Sequence, residues 1–170
     1  MPVILANKHF WAKGQIYAPG DDGELVEIKF RGRFKRLSAT ERKELDRRLY
    51  ANGITPDVRK ELEKMLEDTS PSMSERDREE LRLGLEAERI SNEEFIELYL
   101  TDWDIKDQDG NPIAFSPENL KEVFEELDGL PAALVKAYDQ AVTQAANPAA
   151  IEKNSGKQSV PSTPGLPRKR

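Results

Sequence analysis

The chain has 170 residues, no cysteine, 37% hydrophobic and 34% charged residues; it predicts one domain with a lean core and excludes disulfides, zinc thiolates and thiol nucleophiles. The net charge of −6 is uneven: residues 147–170 carry five basic side chains and one acidic one, so the rest of the chain carries −10. An acidic body argues against general DNA binding. The N-terminal apolar run is too short for a signal peptide and no run of about 18 apolar residues could span a membrane, so we expect a cytoplasmic protein.

The N-terminal region predicts a β-hairpin. In ELVEIKFRGRFKRL every second position is apolar on one face and charged on the other, which is the period of a strand. The apolar face holds Val26, Ile28, Phe30 and Phe34. Turn residues at 19–23 separate this run from FWAKGQIY, a suitable partner, so we expect strands near 9–18 and 24–35.

The chain then predicts six short helices, each with a recognisable start. A capping box joins Ser38 to Glu41, and a second joins Ser91 to Glu94. The other starts are the caps Thr55, Ser74 and Ser116 and the first-turn residue Pro131. The first helix is expected to end near Ala51, before Gly53, and the third near Arg89.

Two of these helices have clear apolar stripes. The second carries Val58, Leu62, Met65 and Leu66. The fifth carries Leu120, Val123, Phe124 and Leu127 at the i, i+3, i+4, i+7 spacing of an amphipathic helix. The prediction is a mainly α (α+β) protein in which an N-terminal β-hairpin (1–37) precedes a bundle of about six short helices (38–146). Residues 147–170 are expected to be a disordered basic tail.

The acidic stretch TDWDIKDQDGNPIAF (101–115) has three interpretations. As a calcium loop with Gly110 at position 6, it puts Ile105 at position 1 and Ser116 at position 12, where carboxylates are required. As a catalytic pair, its aspartates all lie in one short segment and do not converge across a cleft. The remaining interpretation is a turn between two helices, formed by Asp109 to Pro112.

No other pattern predicts catalysis, a metal or a cofactor. His9 is the single histidine, and there is no glycine-rich phosphate loop or nucleophile elbow. The basic and aromatic segment KFRGRFKR could form a nucleic-acid surface, but a strand places its phenylalanines and arginines on opposite faces. We therefore expect a protein that is not an enzyme and acts by contact, with nucleic-acid binding unlikely.

The C-terminal half combines a short helix, a tryptophan turn with an acidic DxDG segment, a proline-rich helix start and an alanine-rich helix ending in AY. The residues of this combination are Trp103, Asp107, Asp109, Gly110, Pro112, Phe115, Pro117, Glu118, Asn119, Leu120, Ala137, Tyr138, Lys153 and Asn154. In these features the chain resembles the tail assembly chaperones of long-tailed bacteriophages. The resemblance covers about residues 24–155 and is densest over 95–142.

This resemblance implies a non-enzymatic protein of the host cytoplasm that is absent from the mature virion. Such proteins bind the tape measure protein, keep it soluble and help recruit tail tube subunits, and many also occur in a frameshifted longer form. For partner binding we select Trp103, Phe115, Leu120, Phe124 and Tyr138; the alternative for each is packing in the core. The lean core further suggests self-association. The alternatives for function are a helical adaptor of another phage or bacterial assembly, or a nucleic-acid-associated protein.

Overall fold

The structure, a computed structural model, describes residues 7–68 and 72–146. Strands β1 (His9–Pro19) and β2 (Leu25–Lys35) form an antiparallel hairpin. Its strand limits lie within one residue of the prediction, and the left-handed backbone of Gly23 (φ +80°) closes the turn. Phe30 and Phe34 are buried while the neighbouring charged residues are exposed, which confirms the predicted two-faced strand.

Within the described residues six helices follow the hairpin, as predicted. They are α1 (Ala39–Asn52), α2 (Pro56–Glu67), α3 (Glu75–Glu86), α4 (Asn92–Tyr99), α5 (Pro117–Glu126) and α6 (Leu130–Ala146). The side chains of Ser38, Thr55, Ser74, Ser91 and Ser116 all accept from the backbone N–H three residues on. The capping box of Ser38 and Glu41 is complete.

Helix α3 ends earlier than expected. Its last residue is Glu86, and Ala87 is already extended (φ −63°, ψ 135°). The chain that follows is held by α1, because Arg48 donates to the carbonyl oxygen of Glu88 (3.2 Å) and Asn52 donates to that of Ile90 (2.7 Å). These long-range hydrogen bonds replace the last helical turn, and no local signal predicts them.

The acidic stretch 101–115 begins within a strand, β3 (Leu100–Asp104), which pairs antiparallel with β2 and makes a three-stranded sheet of order β1–β2–β3. This strand was not predicted, whereas the turn predicted at Asp109 to Pro112 follows it. Thr101 is an extra residue at an irregularity opposite Arg33 and Phe34, and its hydroxyl donates to the carbonyl oxygen of Arg33 (3.1 Å). The irregularity breaks the apolar alternation by which a strand is recognised.

One core joins the sheet to the helices. The ring of Tyr138 on α6 lies 5.3 Å from Phe34 of β2, 5.0 Å from Phe95 of α4 and 5.6 Å from Phe10 of β1, measured between ring centroids. The same cluster of buried residues includes Leu45 of α1. The core therefore continues across residue 37, where a boundary between hairpin and helical domain was predicted; the boundary stays a prediction.

The predicted disorder of residues 147–170 lies outside the described residues. Among the helices that are described, none combines the length and the apolarity needed to cross a bilayer.

Candidate partner-binding surfaces

The acidic loop after β3 is organised by its own hydrogen bonds. The carboxylate of Asp107 accepts from the backbone N–H groups of Asp109 (2.9 Å) and Asn111 (2.8 Å), and Gly110 takes the left-handed conformation (φ +83°). These bonds, with that from the Asn111 backbone the strongest, hold the pKa of Asp107 below its usual value. Within residues 7–68 and 72–146, no group of three or more potential ligands could hold a metal ion. The loop forms a turn, as predicted for Asp109 to Pro112.

The five residues selected for partner binding lie in or against the core. Trp103 is 5% exposed; its indole N–H donates to the carbonyl oxygen of Ile113 (2.8 Å), and its ring meets Phe115 edge-on at 5.3 Å. Tyr138 is 2% exposed. The other three, Phe115, Leu120 and Phe124, are half-buried and packed against the same cluster. Their part in partner binding stays a prediction, and the contacts described give all five a packing role.

His9, the single histidine, is half-buried at the start of β1 opposite Lys35. On the same face of the hairpin, Arg31 is paired with Asp104 (2.7 Å) and stacks on the Trp11 ring at 5.2 Å. An acid therefore neutralises part of the basic strand face. That pairing weakens the case for a nucleic-acid surface, which needs unpaired cations.

A groove of about 1390 Å³ runs beside the outer half of β2. We call it the hairpin groove. Its walls are β2, the loop after β3, and helices α5 and α6, and its floor is apolar: Gly14, Ile28, Phe30, Val123, Leu127, Ala133 and Ala137. Five acidic and five basic side chains surround this floor. The charges at the rim of the groove therefore balance, and its floor is apolar.

One wall of the hairpin groove is an uncovered strand edge. The N–H of Arg36 donates to Lys8 and the N–H of Gly20 donates to Glu24, both at 2.7 Å. In an antiparallel pair, hydrogen-bonded and non-hydrogen-bonded residue pairs alternate along the strands. The two bonds therefore show that the even-numbered residues of β2 exchange hydrogen bonds with β1. The odd-numbered residues of β2 direct their N–H and C=O groups to the other side. On that side β3 covers Arg31 and Arg33. Within the described residues, no strand covers Leu25, Glu27 or Lys29.

A second apolar surface lies on α2, and we call it the α2 stripe: Val58, Leu62, Met65 and Leu66. The helix has no buried residue, and Val58 and Met65 are 41% and 49% exposed. Two hydrogen bonds join α2 to α3. The side chain of Arg59 donates to the carbonyl oxygen of Leu85 (3.0 Å), and the side chain of Arg78 donates to that of Leu66 (2.8 Å). The stripe itself was predicted; that the fold leaves Val58 and Met65 exposed, with Leu62 and Leu66 half-buried, was not.

Comparison with known proteins adds the family to this geometry. A family model described as phage tail assembly chaperone matches residues 4–147. The chain belongs to the phage tail assembly chaperone family. No curated protein and no solved structure gives a significant match. The matched range includes both apolar surfaces, so the hairpin groove and the α2 stripe are parts of the chaperone domain.

Proposed function

We propose that this tail assembly chaperone binds the tape measure protein through the α2 stripe, keeps it soluble and helps recruit tail tube subunits. It acts by binding, without catalysis, in the host cytoplasm, and is absent from the mature virion. The observation that carries the proposal is an amphipathic helix, fixed by its neighbours, whose apolar residues Val58 and Met65 are 41% and 49% exposed.

The chemistry of the stripe supports a helical partner. Val58, Leu62 and Met65 stand at i, i+4 and i+7, which is the ridge that a second amphipathic helix packs against. A tape measure protein is a long helical chain that repeats such apolar faces. The flexible thioether of Met65 adapts to irregular partners, which suits a chaperone that meets many segments of one client.

The size of the stripe supports binding by many copies together. Burying a valine or methionine side chain stabilises a complex by about 1.5–3 kcal/mol, and a stripe of four side chains gives modest affinity once the cost of association is subtracted. Many copies along one client gain from effective concentration. A coated client presents the other faces of the chaperone to tail tube subunits.

Co-expression with the tape measure protein tests the proposal. The unaltered chaperone is expected to keep the tape measure protein in the soluble fraction, and Met65→Asp or Val58→Asp to lose this effect. Each charge placed in the stripe should weaken binding by about tenfold or more, since 1.4 kcal/mol corresponds to a factor of ten. The measurements are the soluble fraction and the dissociation constant for a tape measure fragment.

Lys60→Ala is the matched control. Lys60 is exposed on the opposite face of α2, two residues or about 200° from Val58, and the substitution changes the charge by the same −1 as Met65→Asp. The thermal unfolding midpoint should be unchanged in all three variants, because none of these side chains is buried. If the stripe variants keep the tape measure protein as soluble as the control does, the α2 stripe is not the binding surface.

A further inference from the structure

We propose that the uncovered edge of β2 binds residues 2–6 of a second copy of this chain as an added strand. The added strand would lie in the hairpin groove, in line with β3 and antiparallel to β2. The chaperone would then associate head to tail, each copy giving a strand to one neighbour and receiving one from another. This proposal concerns a different surface from the α2 stripe.

The acceptor side supplies unused hydrogen-bonding groups. Leu25, Glu27 and Lys29 direct their backbone N–H and C=O groups towards the groove, where no described strand meets them. A row of such groups beside an apolar floor is the arrangement to which extended peptides add. Val26 and Ile28 alternate along β2 with Leu25, Glu27 and Lys29, and their side chains line the groove. They can contact every second side chain of the added strand.

The donor side is the most apolar uninterrupted segment near the hairpin. Residues 2–6 read PVILA and carry no charged side chain. Two of them, Val3 and Ile4, are β-branched and favour strands. The groove is neutral at its rim and apolar at its floor, so an uncharged segment fits it better than the basic residues 147–170.

The segment cannot reach this edge within its own chain. Lys8 is fixed opposite Arg36, and Arg36 lies seven residues from Lys29, about 23 Å along the strand. Two strand spacings add about 10 Å across the sheet. Residue 2 lies six residues before Lys8 and extends at most about 22 Å from it. The donor therefore has to come from another copy.

The β2 edge of a second copy is a poorer occupant. A two-fold pairing that sets Glu27 opposite Lys29 also sets Leu25 opposite Arg31, and Arg31 is already covered by Asp104 of β3. Shifting the register to clear β3 sets the two Glu27 side chains opposite each other, which is unfavourable. Residues 2–6 meet neither obstacle.

Disulfide trapping tests the proposal, because the unaltered chain has no cysteine. One preparation carries Glu27→Cys, and the second carries Val3→Cys, Ile4→Cys or Leu5→Cys. On mixing and oxidation, a covalent heterodimer is expected for one donor position above the others, and that position gives the register. In the chain without cysteine, the mass from light scattering should rise with concentration, and deletion of residues 2–6 should abolish the rise.

Arg33→Cys is the matched acceptor control. Arg33 is exposed on the same face of β2, and its outer edge is already covered by β3 at Asp102. It should give no heterodimer with any donor. Equal trapping by both acceptor cysteines would overturn the proposal, as would a mass that does not depend on concentration or on residues 2–6.

Discussion

Tyr138 shows how one residue links the parts of the molecule. Its ring is the common contact of β1, β2 and α4, and its hydroxyl accepts a hydrogen bond from Arg42 of α1 (3.3 Å). Burial is the main cause that raises the pKa of the Tyr138 phenol above 10, opposed by the guanidinium of Arg42. The contacts of Tyr138 with Phe34 and Arg42 join residues about a hundred positions apart.

Stability at high pH should depend on this phenol. Above pH 10 an unfolded tyrosine loses its proton while the folded Tyr138 keeps it, so the free energy of unfolding falls as pH rises from 10 through the folded pKa. Tyr138→Phe should cost about 1 kcal/mol at neutral pH through the lost hydrogen bond, and should show a shallower decline above pH 10. Urea unfolding between pH 8 and 11 measures both; parallel pH curves for the two proteins would contradict the assignment.

The sequence left two roles open for Trp103, contact with a partner and packing in the core. The aspartates around it in the chain give no sign that the side chain is buried. Its indole is buried because β3 places it on the inner face of the sheet, where Phe115 packs against it. Neither the pairing of β3 with β2 nor the contact with Phe115 can be recognised from the residues next to Trp103 in the sequence.

At the level of elements, local signals predicted local structure. Caps such as Ser38 and Ser116 and the strict alternation of β2 depend on neighbouring residues only, and these elements appear where expected. Strand β3 depends on a partner 73 residues away at Arg31 and Asp104 and on an irregularity at Thr101. The hairpin groove depends on four elements at once, so it has no sequence signature.

Gly32 on β2 tests how closely the elements pack. A Cβ at this position would lie 2.8 Å from a ring carbon of Phe34 and 3.0 Å from methyl carbons of Leu100 and Leu134. Gly32→Ala should therefore destabilise the protein by about 1–3 kcal/mol, measured as a lower urea midpoint.

Gly53→Ala is the matched control. Gly53 has a φ of −83°, which alanine adopts freely, and the nearest atom to its Cβ would be the carbonyl oxygen of Tyr50 at 3.6 Å. This variant should be neutral or more stable by about 0.4–1 kcal/mol. Equal midpoints for the two variants would show that the sheet and α6 can move apart at little cost.

At the level of the whole molecule, the continuous core predicts one cooperative transition. A Trp11→Phe variant leaves the buried Trp103 as the fluorescence probe of the core, while circular dichroism reports the helices. The two probes should give the same urea midpoint. Two separate midpoints would instead show that the core around Trp103 and the helices unfold independently.

The order of the elements also has a consequence for synthesis on the ribosome. The inner face of the hairpin is complete at Phe34, but Tyr138, which covers it, follows 104 residues later. At about 5–20 residues per second, that interval is roughly 5–20 s. During those seconds Phe30 and Phe34 of every nascent chain lack their native cover. The chain therefore has an uncovered apolar surface of its own during its synthesis.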